Sequence, residues 1–135
     1  MSGNVDMTKL GSEARGARAR AYAPYSKFRV GAAVLLDNGQ TVVGANVENA
    51  SFGLTCCAER NALFSAKVQY PMAKIIALAV SAGDDSHQHD GDRTRMPCGA
   101  CRQVMVEFMD LSSPIWVDGA GIHKLSELLP SPFKL

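Results

Sequence analysis

Leu10, Ala14, Ala17 and Ala21 recur at helical spacing near the start of the chain, with Arg15, Arg18 and Arg20 mostly off that stripe. Such a three-and-four repeat puts the apolar side chains on one face of a helix. Asp6 or Thr8 is placed to cap it and Pro24 to end it, while Gly11 and Gly16 weaken it. Two β-prone runs follow, Phe28 to Leu36 and Thr41 to Ala45, around Asp37-Asn38-Gly39-Gln40. Asn-Gly between such runs predicts a hairpin, because both residues tolerate positive φ. Asn46 to Thr55 reads as a loop, and Cys57 to Lys67 as a helix with Ala58, Ala62, Leu63 and Ala66 on one face, stopped by Pro71. Ile75 to Val80 is continuously apolar, which predicts a strand covered on both faces, as in a parallel sheet. Asp84 to Arg95 is polar apart from Gly91 and reads as a solvated loop. A further helix opens at Pro97-Cys98, where proline suits the first turn, and turns Val104, Met105 and Phe108 inward. Ile115 to Val117 predicts a short strand, and Leu125 to Leu129 a last helical turn.

The order is thus a helix, a hairpin, then helix, strand, helix, strand. Strands separated by helices imply parallel neighbours joined by right-handed crossovers, with helices on both faces. An α/β fold follows, a three-layer α/β/α sandwich. At 135 residues the expectation is one domain, 1–135. A chain of this size buries enough surface to need no disulfide scaffold. Fourteen basic residues against thirteen acidic ones leave a net charge of +1, which argues against a nucleic-acid partner held by its phosphates. No apolar stretch approaches the roughly 20 residues needed to span a membrane. The first residues lack the apolar core of a signal peptide, so the expectation is a soluble, cytoplasmic protein.

Four cysteines fall in two tight pairs, Cys56-Cys57 and Cys98-x-x-Cys101. In a reducing compartment such clusters bind metal or do chemistry more often than they form disulfides. Cys57 opens the helix after the second strand, and Cys98 the helix after the third. Those strands run the same way, so both helix starts point to the carboxyl edge of the sheet, where open α/β sheets place their ligands. Cys101 lies one turn beyond Cys98. Three sulfurs can therefore converge beneath two positive helix ends, which favour thiolate over thiol. Three thiolates suit one zinc ion per chain and leave its fourth position open, the mark of a catalytic rather than a structural site. Glu59, in the first turn of the Cys57 helix, can reach water there without ligating the metal.

Cys57-Ala58-Glu59-Arg60 followed by Pro97-Cys98-Gly99-Ala100-Cys101-Arg102-Gln103 resembles the zinc-dependent cytidine deaminase family. The resemblance continues through Tyr25-Ser26, Phe28 to Ala33, Asn46 to Asn49 and Leu128 to Phe133, and so covers nearly the whole chain. It implies a mixed five-stranded sheet and hydrolysis of cytidine and 2′-deoxycytidine to the uridine forms plus ammonia. It implies zinc ligands Cys57, Cys98 and Cys101, with Glu59 as proton shuttle. Asn46 and Glu48 would hold the ribose hydroxyls, Phe28 would pack on the pyrimidine, and the backbone at Ala58 would meet the base carbonyl. Cysteine as the first ligand resembles the small homotetrameric branch. There Phe133 would close over a neighbouring subunit's site, and Phe52 stands where a residue, often Tyr, reaches across subunits.

Three thiolates and Zn²⁺ sum to −1, so a nearby cation has a role. Arg60 can donate to a ligand sulfur and drain that charge; Arg102 is an equally available donor. Other readings stand beside these. Cys98-x-x-Cys101 alone fits a redox pair, but that leaves Cys57-x-Glu59 without a reason. Cys56 would complete a structural zinc site, yet neighbours on a helix point about 100° apart, so a packed small side chain suits it better. His87 and His89 lie in so polar a stretch that exposure explains them. Rivals to the nucleoside deaminase are an enzyme for another aminated base or a nucleotide, and a zinc-stabilised module without turnover. Glu48 speaks against a phosphorylated sugar, which its carboxylate would repel.

Overall fold

Val30–Leu36 (β1) and Thr41–Ala45 (β2) form the hairpin, paired from Gly31↔Ala45 to Leu35↔Thr41. Only Gly39 in its loop adopts positive φ, at 87°, and the Leu36 amide donates to the Gln40 carbonyl at 2.9 Å. The connection is therefore not the two-residue turn with both central residues at positive φ that Asn-Gly favours, but a longer loop closed by one left-handed glycine. The computed structural model describes residues 5–83 and 95–135, so His87, His89 and all but the last residue of the expected polar loop lie outside it.

The sheet order is β2-β1-β3-β4-β5, with β3 at Ile75–Ala82, β4 at Pro114–Val117 and β5 at Gly121–Lys124. β3 runs antiparallel to β1 and parallel to β4, so it is central but not wholly parallel as its apolar run suggested. The fifth strand pairs antiparallel with β4 and has no counterpart in the apolar pattern. It is a four-residue edge strand with mostly exposed side chains, and such strands carry little hydrophobic signal.

α1 (Met7–Ala17) covers one face of the sheet. Asp6 is its cap, accepting from the Lys9 amide at 3.0 Å, and a 3₁₀ turn at Arg18–Arg20 finishes it before Pro24 is reached. α2 (Ala58–Gln69) and α3 (Gly99–Phe108) cover the other face, and α4 (Leu125–Leu128) packs beside α3. Pro97 precedes the cap residue Cys98 rather than occupying the first turn. The layers are α/β/α, as the order of elements implies. Strand residues alternate between two cores, because successive side chains point to opposite faces. Val34, Leu36, Leu78, Val80 and Ile115 meet α2 and α3, together with Leu63 and Met105. Ala33, Ala77 and Ala79 meet α1.

Two strand glycines fix how closely the helices seat. A Cβ at Gly44 in β2 would lie 2.6 Å from the Ala58 carbonyl oxygen of α2. One at Gly31 in β1 would lie 2.6 Å from the Arg18 amide after α1. No real Cβ packs so close, and only glycine lets strand and helix backbones touch. At Gly44 that contact sets the depth of the α2 start, where the chemistry-bearing residues begin.

Candidate metal centre and active site

β2 and β3 run in the same direction on either side of β1, so the starts of α2 and α3 meet at one sheet edge. Cys57 caps α2 and Cys98 caps α3, neither with a side-chain cap hydrogen bond. Their sulfurs lie 4.0 Å apart, and Cys98 Sγ lies 3.5 Å from Cys101 Sγ. All three sulfurs fall within 4.8 Å of one another. Thiolates bound about 2.3 Å from a tetrahedral zinc would be about 3.8 Å apart, so the cluster fits zinc with little adjustment. Cys56 is outside it. Its backbone pairs with Val47, its side chain is half-buried, and burial pushes its thiol up. All four cysteines are free thiols.

The charge around the sulfurs suits an anionic cluster. Arg60, one turn into α2, donates to Cys57 Sγ at 3.4 Å, and its buried Nε has no hydrogen-bond partner among the described residues. Contact with Cys101, aided by that guanidinium, pulls the Cys57 thiol down to about 5, while Cys101 is pushed up by the same contact and by burial. Arg102 is not available for this duty. Its Nε donates to the Pro97 carbonyl and its Nη1 to the Leu128 carbonyl, both at 2.7 Å. Of the two candidate donors, the geometry selects Arg60.

Glu59 is 4% exposed in the first turn of α2, and burial raises its carboxyl to about 7. It opens onto a cleft of about 300 Å³ whose wall includes Phe28, Asn46, Glu48, Cys57, Ala58 and Cys98. Phe28 is half-buried there, and Ala58 is the first residue of α2, whose leading amides have no acceptor within the helix. Asn46 is engaged more than its sequence suggests. Its Oδ1 accepts from the Val30 amide at 2.8 Å and its Nδ2 donates to the Phe28 carbonyl at 2.9 Å. It thus ties down the chain that carries Phe28, with one Nδ2 hydrogen left over. Glu48 Oε1 accepts from the Tyr25 and Ser26 amides at 3.0 and 3.1 Å, and the Ser26 hydroxyl donates to Oε2. Those bonds, the hydroxyl's first, hold its carboxyl below the usual range.

Phe52 and Phe133 do not line this cleft. Phe52 is 75% exposed and meets Tyr25 edge-on at 6.1 Å, and Phe133 is 69% exposed with its carbonyl accepting from Gln103. Ser26, Thr55, Val80, Ala82, Arg95 and Met96 do line it. Ser26 lies in the Tyr25-Ser26 pair, and its role comes from its bond to Glu48, which no local sequence pattern announces. Arg95 closes a polar stretch whose pattern gives no cue.

Residues 6–113 match the cytidine and deoxycytidylate deaminase zinc-binding region. The chain belongs to this family. Within it, the chain is 44% identical to a cytidine deaminase of Halalkalibacterium halodurans, over 96% of this chain and 95% of that one. It is 42% identical to one of Mycobacterium tuberculosis, over 98% and 92%. A crystal structure of a mutant cytidine deaminase from Mycobacterium tuberculosis superposes with a TM-score of 0.83 at 39% identity, covering 98% of each chain. The deaminase fold is therefore shared over nearly the full length, the mixed five-stranded sheet is that of the family, and Cys57, Cys98 and Cys101 form a cluster able to hold a metal ion.

Proposed function

We propose that the chain catalyses the hydrolytic deamination of cytidine and 2′-deoxycytidine, giving uridine or 2′-deoxyuridine and ammonia. One observation carries the reading: Cys57 and Cys98, two of the three clustered sulfurs, share one cleft with a buried carboxylate and the Asn46–Glu48 pair. Cys57, Cys98 and Cys101 would hold the zinc, which would supply the Lewis acidity that lowers the pKa of water toward neutrality. Glu59 takes the proton of the attacking water and delivers it to N3 as C4 becomes tetrahedral. It then takes the proton of the new C4 hydroxyl and passes it to the departing amine, which leaves as ammonia while the C4 carbonyl forms, so one carboxyl serves both steps. Its burial supports this, since a carboxyl raised toward neutrality both accepts and releases a proton readily. Phe28 packs on the pyrimidine, the Ala58 amide meets the base carbonyl, and Asn46 and Glu48 receive the ribose hydroxyls. Arg60 neutralises the thiolate cluster.

The chain acts as one domain, 1–135, in a homotetramer. Exposed Tyr25, Phe52, Leu54 and Phe133 support this, as apolar surface that a second copy would cover. Four free thiols support a reducing, cytoplasmic setting, and release of uridine from a free nucleoside is chemistry of pyrimidine salvage. Among the described residues no helix is long and apolar enough to cross a membrane. Loss of cytosine absorbance on incubation with cytidine, abolished by a zinc chelator and restored by zinc, is the expected result. A zinc-loaded protein without turnover on either nucleoside would overturn the reading.

A further inference from the structure

The three sulfurs are not equally tethered. Cys57 is held by Arg60 and by the seat of α2 on β2, and Cys101 is buried within α3. Cys98 is exposed and stands at the end of an irregular segment, 95–98. Two arginines hold that segment. Arg102 grips the Pro97 carbonyl from the helix side. Arg95 grips the sheet from the other, its Nη1 donating to the carbonyl of Ala82, the last residue of β3.

The receiving end is built to accept it. Ala82 is in register with Val30 of β1, and the Gly83 amide donates to the Arg29 carbonyl at 2.9 Å, so this strand end is itself fixed. Gly83 has φ +113°, a conformation side chains rarely adopt, and a Cβ there would collide with Arg95 Nη1 and lie 3.1 Å from its Cζ. The flat guanidinium therefore rests on the bare side of a glycine. A lysine could reach the same carbonyl as a point charge but could not fill that flat space.

We infer that Arg95, seated on Gly83, is a positioning residue that fixes Cys98 within reach of the other two sulfurs. Arg95 also lines the cleft, so the contact that places the ligand shapes the wall beside it. The inference rests on the reading of the three cysteines as zinc ligands. Its consequence concerns metal retention before it concerns turnover.

Zinc release from the loaded protein to a chromogenic chelator tests it, with turnover of cytidine measured alongside. Arg95→Ala is expected to speed release about tenfold, the usual scale for a residue that orients a ligand, and to regain activity as zinc is added. Arg95→Lys is expected to fall between parent and alanine variant. Melting of the metal-free protein should be unchanged. Gly83→Ala supplies the second arm. It should speed release in the parent, where the new methyl displaces the guanidinium, and change it much less in the Arg95→Ala background. Release within twofold of the parent for Arg95→Ala, or effects of the two substitutions that simply multiply, would overturn the inference. A parent protein that retains no zinc would overturn it together with the ligand assignment; a zinc-retaining parent with an unaffected variant overturns the positioning role alone.

Discussion

The two faces of the sheet do different work with different side chains. Toward α2 and α3 the strands present Val34, Leu36, Leu78, Val80 and Ile115, all nearly or fully buried. Toward α1 the fully buried strand residues are Ala33, Ala77 and Ala79, with Leu35, Val43 and Trp116 partly buried beside them. The bulky face carries the helices whose starts bring the sulfurs and Glu59 together. The small-residue face ends instead in an ion pair, Arg15 Nε and Nη2 to the two Asp118 oxygens at 2.8 Å each, with Ser81 Oγ donating to Asp118 Oδ2 at 2.7 Å. Arg15 also lies over the Trp116 ring, 5.4 Å from its centroid. Chemistry is concentrated on one face, and the other contributes stability.

That division predicts which measurements each substitution moves. Glu59→Gln should lower kcat about 10²- to 10⁴-fold, the usual contribution of a general acid–base, with one zinc per chain retained and melting unchanged. Near-normal turnover would break the assignment of chemistry to the start of α2. Leu78→Ala, on the bulky face but away from the cleft, should cost about 2–5 kcal/mol in urea unfolding. Its neighbour Ala79→Leu should cost about 1–3 kcal/mol by overpacking against α1. Per-molecule kcat should stay the same in both, and a large fall in kcat would erase the distinction between scaffold and site. Arg60→Ala should reduce activity about 10- to 100-fold with a moved pH–rate profile, because it leaves the thiolates' negative charge unopposed. An unmoved profile would reduce Arg60 to packing.

The smallest effect belongs to the α1 face. Arg15 holds the Asp118 carboxyl below its ordinary value, with Ser81 adding to it. A carboxyl lowered in the folded state stabilises at any pH above its unfolded value of about 3.9, and that stabilisation fades as pH falls through the lower folded value. Asp118→Asn should therefore cost about 1 kcal/mol near pH 7, the upper range for a partly exposed pair. The gap from the parent should close in strongly acidic solution. A gap that does not change with pH would mean that the pair acts through shape and not charge.

The layers and the meeting of the sulfurs were legible in the sequence, because both depend on order and spacing. Apolar runs marked β1, β3 and β4, and the helix starts at Cys57 and Cys98 pointed to one edge. β5 escaped because an exposed edge strand has no apolar signature. The choice between Arg60 and Arg102 needed distances, since both are single arginines one turn from a cysteine. Asn46 takes its ribose-binding role from the family resemblance alone, and its bonds to Val30 and Phe28 are long-range in sequence, so no local pattern announces them. Arg95 was hidden for the same reason. Its partners, Ala82 and Gly83, lie a dozen or more positions away, and neither advertises chemistry.

Gly44 illustrates how such hidden dependence would surface in a genetic screen. It carries no reactive group and touches no ligand. Even so, any side chain at that position must push the first turn of α2 outward, taking Cys57 and Glu59 with it. Substitutions there would be recovered among inactive alleles alongside those of the cysteines, and a map built from loss of activity alone would score an absent atom as part of the catalytic apparatus.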